Sequence, residues 1–203
     1  MATLLHIDSS VRHAGSLSRQ LGGEFIAKWQ AANPSDTIVT RDLVATPVPH
    51  LTEQQVGAMF TPPDQRNADQ AQAIKGSDAL VDELLAADII VIGAPMYNFS
   101  VTSGLKAWID NIARVGRTFS YGANGPQGMV SGKKVYVFTA SGGVYSSGPG
   151  AAYDHLTTYL GAVLGFLGMT DVTFIAAEGA SMGEEAAAAA VAKGRTDIDA
   201  LVA

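Results

Sequence analysis

The stretch "IIVIGAPMYNFSVTSGLK" covers residues 89–106. It opens on an unbroken apolar run, Ile89 to Ile92, that stops at Gly93. Extended to 88–94, a run with no polar alternation reads as a strand covered on both faces, as in a parallel sheet. The turn that follows is not polar. It carries Pro95, Met96, Tyr97 and Phe99 with a single amide, Asn98. Beyond it, Leu105, Trp108, Ile109 and Ile112 recur at helical spacing and predict a helix over 103–115.

The same unit recurs on either side. Strands are predicted at 3–8, 37–43, 134–140 and 171–177. Helices are predicted from Leu17 to about Asn33, at 52–60, 68–86 and about 151–167, and in a last segment beginning near Gly183. Residues 61–67 read as a polar turn, and 117–134 as a turn-rich stretch with a small hairpin. Five strands alternating with helices mean an α/β domain on a parallel sheet. Neither a repeat nor a linker divides the chain, so residues 1–203 read as a single domain. The length fits a doubly wound five-stranded parallel sheet of order 2-1-3-4-5 better than a (β/α)8 barrel.

That order places strands 1, 3 and 4 side by side, and ligands of such sheets sit beyond the carboxyl ends at the switch point. The loops there are 9–18, 94–102 and 140–150, and all three are unusual. The first holds Ser9, Ser10, Ser16 and Ser18 at the start of a helix, whose unpaired N–H groups suit a phosphate. Ser16 as a plain helix cap is the other reading. Arg12, His13 and Arg19 gather at this turn, although cations are disfavoured at a helix start, and a bound anion would account for them. The third loop has Gly142-Gly143, which lets backbone approach a flat ligand or simply makes a tight turn, with Tyr145 nearby. Between them, Met96, Tyr97 and Phe99 either cover an aromatic ring or fill the core. Asn98 has the donor and acceptor to read a polar ring edge.

Composition excludes several classes. Apolar residues make up 47% and charged ones 16%, with a net charge of −6, which argues against nucleic acid as a partner. With no cysteine there is no disulfide, thiolate nucleophile or cysteine metal site, and the four histidines lack ligand spacing. No apolar run approaches the roughly 18 residues of a membrane helix, and the N-terminal apolar run is too short for a signal peptide. The expected location is cytoplasmic. Neither G-x-G-x-x-G after strand 1 nor a Walker A sequence is present. "GASMG" (179–183) matches the G-x-S-x-G nucleophile elbow and makes a serine hydrolase at Ser181 one alternative. It follows the last strand, and no histidine follows Ser181, as the hydrolase order requires.

"DSSVRHAGSLSRQL", "APMYNFSVTSGLKAWID" and "SGGVYSSGP" resemble the FMN-dependent NADH-azoreductases, within the flavodoxin-like quinone reductase superfamily. The likeness extends to "RDL" (41–43), "GPQG" (125–128) and "FLGMTDV" (166–172), nearly the whole chain. It implies a flavodoxin-like fold and a homodimer with FMN in each subunit. NADH is the implied donor, and no residue is identifiable that would select it over NADPH. The resemblance implies that Ser10, Ser16, Leu17 and Ser18 hold the FMN phosphate. Met96, Tyr97, Asn98 and Phe99 would line the isoalloxazine, and Ala140, Ser141, Gly142 and Gly143 would close its far side. Quinones or azo compounds would be reduced by two-electron ping-pong transfer, with no residue nominated as general acid or base. Phe60, Phe119, Tyr121 and Tyr145 are expected to wall the substrate pocket, which a second subunit completes. Ala140-Ser141 stands where some relatives carry a more polar or charged pair, and Tyr145 replaces other residues; both bear on substrate preference. A non-catalytic electron carrier of flavodoxin type is the remaining alternative; the enlarged segments 44–67 and 117–133 favour an enzyme.

Overall fold

Every residue of the strand at Ile89–Pro95 is buried. In the computed structural model, which describes residues 1–202, this strand (β3) is the middle of a five-stranded sheet. On one side lie β1 (Thr3–Asp8) and then β2 (Thr37–Asp42); on the other lie β6 (Lys134–Ala140) and β7 (Asp171–Ala177). All four pairings are parallel. The two intervening strands, β4 (Phe119–Gly122) and β5 (Gly125–Gly128), form a separate antiparallel hairpin. The observed order β2-β1-β3-β6-β7 is therefore the expected doubly wound order, with the hairpin inserted before the fourth strand.

Alternate residues of the central strands feed two cores, because side chains alternate across a sheet. Leu4, Ile89, Val91 and Phe138 meet α1 (Leu17–Ala32) and α6 (Glu184–Val202). Leu5, Ile7, Ile90 and Ile92 face α3 (Ala68–Ala86), α4 (Ser103–Ile112) and α5 (Thr157–Leu167), with Trp108 fully buried among them. A small satellite core of Ala58, Met59 and Ile74 seats α2 (Glu53–Phe60) on α3. Helices α2 and α3 both begin with reciprocal caps, Thr52 with Gln55 and Asn67 with Gln70.

The helix expected over 151–167 is split. Gly148–Tyr153 forms a 3-10 segment, and Asp154 then accepts from the amides of Leu156 and Thr157 to start α5 afresh. The helix expected over 103–115 ends at Ile112, because Thr118 accepts the Arg114 amide at 2.8 Å and turns the chain toward the hairpin. None of the helices among the described residues is long and apolar enough to cross a membrane.

Candidate functional site

Strand register brings the three unusual loops together. Ser9 donates its hydroxyl (2.7 Å) and amide (3.2 Å) to the Gly93 carbonyl, fastening the loop after β1 to β3. The Met96 amide donates to the Ala140 carbonyl at 2.8 Å, fastening the loop after β3 to β6. One crevice results. It is lined by Ser10, Ser16 and Leu17, by Met96 and Tyr97, and by Ala140, Ser141 and Gly142. Arg12, Gly15, Pro95, Ala180 and Ser181 complete its wall.

The first loop presents donors. Ser16 caps α1, accepting the Arg19 amide at a long 3.5 Å, while the amides of Leu17 and Ser18 find no acceptor among the described residues. Such first-turn amides are the elements of an anion site. Ser18 is fully buried behind the rim, with its hydroxyl 3.3 Å from that of Ser16.

Of Arg12, His13 and Arg19, the three cations expected around an anion, only Arg12 borders the crevice. His13 is exposed and off the crevice wall. Arg19 is engaged elsewhere: Nη1 and Nη2 donate to Asp42 at 2.8 and 2.9 Å, and Nε and Nη2 donate to the Ser10 carbonyl at 3.1 and 2.8 Å. The cause lies in the register, which sets Asp8 directly beside Asp42. Arg19 reaches both, lying 3.2 Å from Asp8. Its hydrogen bond holds the Asp42 carboxyl well below the usual carboxylate range. Burial pushes Asp8 the other way, and His6 beneath it is lowered, again chiefly by burial.

Asp42→Asn should therefore cost about 2 kcal/mol at pH 7, the range for a hydrogen bond to a charged group. A depressed carboxyl stabilises the fold above its unfolded pKa, and that stabilisation fades as pH falls. The gap between variant and parent should begin to narrow below about pH 4 and close only as pH falls through the lowered folded-state value, as read by urea unfolding at several pH values from pH 7 down into strong acid.

The second loop is a tight turn. Tyr97 and Ser100 exchange both backbone hydrogen bonds, at 3.0 and 3.1 Å, around Asn98 (φ 50°) and Phe99 (φ 70°). Two successive positive φ values define the two-residue turn that ordinarily selects Asn-Gly. Asn98 suits it; a phenylalanine there is strained by about 1–2 kcal/mol. Phe99 is 45% exposed and leans on Tyr153 and Tyr145, with ring centroids 5.3 and 6.1 Å away. The loop's apolar side chains thus divide. Met96 both lines the crevice and packs on the core. Tyr97 stands between the crevice and a neighbouring groove that Asn98 lines with Lys106 and Tyr159. Phe99 and Asn98 are off the crevice wall itself.

The third loop is held from behind. The amides of Gly179, Ala180 and Ser181 donate to the carbonyls of Gly143, Ser141 and Gly142, each at 3.0 Å. With those carbonyls taken, the amides of Gly142 and Gly143 find no acceptor among the described residues. Glu178 pins the loop's outer end, accepting from the amides of Tyr145 (2.7 Å) and Ser146 (2.8 Å). Tyr145 lines a further groove with Met96, Ser141 and Glu178. Ser181 reaches the crevice as part of this backing turn, and no histidine among the described residues lines the crevice with it. The elbow reading of "GASMG" lacks its base.

The remaining aromatics lie elsewhere on the chain. Phe119 is buried against Phe166 (4.7 Å) and Tyr121 (5.6 Å); Tyr121 and Phe60 are each 70% exposed. None of the three lines the crevice of its own chain.

The family model described as flavodoxin-like fold matches residues 2–202. The chain belongs to the flavodoxin-like family. It is 55% identical over 202 residues to an "FMN-dependent NADH:quinone oxidoreductase" of Herminiimonas arsenicoxydans, covering 100% of this chain and 99% of that one. A protein of the same name from Mesorhizobium japonicum is 48% identical, covering 99% of this chain and 96% of its own. Among solved structures, an azoreductase of Bacillus anthracis strain Sterne superposes with a TM-score of 0.93 at 28% identity, covering 100% of this chain and 99% of that one. These relatives match along the whole length, hairpin and crevice loops included.

Proposed function

We propose that this chain is an FMN-dependent NADH:quinone oxidoreductase that also reduces azo compounds to amines. The names of its full-length relatives support the reading. The observation that carries it is two sets of unpaired donors at one crevice. Leu17 and Gly142, whose amides find no acceptor among the described residues, line it together with Met96 and Tyr97, and Ser18 and Gly143 follow them in the chain. A phosphate tail and a flat, polar-edged ring are what such an arrangement fits.

FMN, when bound, would supply the two-electron redox chemistry between a nicotinamide donor and the acceptor. The protein's part is placement. Ser10, Ser16 and the first-turn amides of α1 would hold the phosphate, Met96 and Tyr97 would bed the ring, and the turn at 141–143 would offer it backbone N–H groups. Asn98 and Phe99 set the shape of the turn that carries Tyr97. No carboxylate or imidazole lines the crevice among the described residues, so solvent supplies the acceptor's proton. Donor and acceptor use one crevice in succession, which predicts ping-pong kinetics.

The working unit in this reading is a cytoplasmic homodimer. Phe60, Phe119 and Tyr121 do not wall their own crevice, and in a two-fold pair they would wall the partner's. Anaerobic titration of the FMN-loaded protein tests the redox reading. NADH should bleach the visible flavin absorbance stoichiometrically, and a quinone should restore it. Failure of both NADH and NADPH to bleach it would sink the proposal.

A further inference from the structure

A second cavity, of about 420 Å³, lies beside α2 and apart from the crevice. Its apolar side is Met59, Phe60 and Pro62-Pro63; its charged side is Arg66, Asp78, Arg114 and Arg117. The charges do not balance. Three guanidinium groups converge on Asp78: Arg114 Nη1 at 3.0 Å, Arg117 Nη1 at 3.6 Å and Arg66 Nη1 at 3.8 Å. Arg117 has a second partner in Asp82, at 2.6 Å, which is not part of the cavity wall. Arg114 is only 1% exposed, its Nη1 hydrogen bond goes to the Ser77 hydroxyl at 2.6 Å, and its Nε finds no acceptor among the described residues. The 3.0 Å contact with Asp78 is an ion pair off the hydrogen-bonding line, since Asp78 Oδ1 receives no hydrogen bond. Burial first, and then the Arg66 and Arg117 charges, lower the Arg114 pKa, with Asp78 opposing.

A buried guanidinium that shares its only carboxylate with two other cations is undercompensated. This happens in a chain whose net charge is −6, so it is not the general character of the surface. One more oxyanion would complete the cluster, and guanidinium forks are the group suited to bind it. The apolar side adds a ring preference, because Phe60 and the two prolines form a lip of flat, stiff side chains at which Phe60 is largely exposed.

We propose that this cavity binds an aromatic oxyanion, a carboxylate or sulfonate. The ring lies against Phe60 and Pro62-Pro63, and the oxyanion bridges Arg66 and Arg117 in front of Arg114. The anion's partners, Arg66, Arg114 and Arg117, are absent from the crevice wall, so anion binding here does not depend on the redox reading; Phe60 alone is shared with the proposed dimer pocket.

The test is calorimetric titration of the FMN-loaded protein with benzoate, benzenesulfonate and inorganic sulfate at constant ionic strength, with melting temperature as a second readout. Both aromatic ions should bind saturably and more tightly than sulfate. Arg117→Gln should weaken them by about tenfold, the loss of one charge-assisted hydrogen bond. Phe60→Ala should weaken the aromatic ions and leave sulfate unchanged. Asp78→Asn is the decisive variant. Without ligand it should melt lower than the parent, yet it should bind benzoate more tightly and regain more of its melting temperature, because the internal competitor is gone. A purely structural ion cluster would lose stability without that rescue. The proposal is overturned by no saturable binding, by sulfate binding as tightly as benzoate, or by Asp78→Asn binding no better than the parent. It is equally overturned by a ligand-induced change in the flavin spectrum that survives Arg117→Gln, which would place the ligand in the crevice.

Discussion

Ser16→Asp should leave the chain folded and strip it of FMN. Ser16 is the N-cap of α1, and aspartate caps a helix as well as serine does. A carboxylate there also complements the positive end of the helix, so stability at pH 7 should change by no more than about 0.5 kcal/mol. The same side chain lines the crevice next to the free Leu17 and Ser18 amides. It therefore sets a negative charge where the phosphate would lie. Like charges 4 Å apart cost about 4 kcal/mol at an effective dielectric of 20. Solvent at the open crevice reduces this, leaving an affinity loss on the order of a hundredfold. Riboflavin, which has the ring without the phosphate, should bind the variant and the parent alike. Fluorescence titration with both compounds gives the answer. An equal loss for riboflavin and FMN would mean that the α1 terminus does not hold the phosphate.

Gly128→Ala should be the most destabilising single-methyl change in the hairpin. A Cβ built on Gly128 would stand 2.2 Å from the Gly168 amide nitrogen and 2.4 Å from the Leu167 carbonyl carbon. These are backbone atoms with little freedom. Gly168 ends α5 at φ 101°, and the Leu167 carbonyl accepts the Val130 amide at 2.8 Å. The hairpin must lift away, at a cost near the upper end of the overpacking range, about 3 kcal/mol. For a chain of this size that lowers the melting temperature by about 6–12 °C. Phe119 packs on Phe166 from the same hairpin, so the displacement carries it and Tyr121 along. Quinone turnover should fall further than FMN affinity does. A variant with unchanged melting temperature would show that the hairpin's seat on α5 yields freely.

The strands and their order were legible because a parallel sheet buried on both faces writes itself as continuous apolar runs, such as Ile89–Ile92. The crevice loops were legible once that order set them side by side. Arg19 was misread for a reason that was itself in the sequence. Asp8 and Asp42 end neighbouring strands, and two carboxylates in register require a cation. The split before α5 was hidden because Gly148, Pro149 and Gly150 permit a 3-10 turn without announcing one. Ser181 and Ala180 were missed as crevice wall because "GASMG", once the elbow reading fails for want of a following histidine, reads as a small-residue turn. Its hydrogen bonds to the Gly142 loop depend on β7 lying next to β6. The left-handed Phe99 had no local signal, since nothing about a phenylalanine predicts a conformation it disfavours.

The register of the sheet also bears on how the chain comes to be folded. Leu4 pairs with Ile89 and Ile89 with Lys134, so the central ladder joins segments remote along the chain. Such pairings carry the loop-closure entropy before any contact offsets it, and they fold slowly. The crevice exists only when β1, β3 and β6 have all closed, so a newly made chain has no partial site for a cofactor to nucleate on. The flavin is then a ligand of the finished fold alone. It adds about 2.7 kcal/mol of apparent stability when present at a hundred times its dissociation constant. Flavin supply would then govern the survival of the enzyme as well as its turnover, with cofactor-starved cells clearing the empty chain by proteolysis sooner than the loaded one.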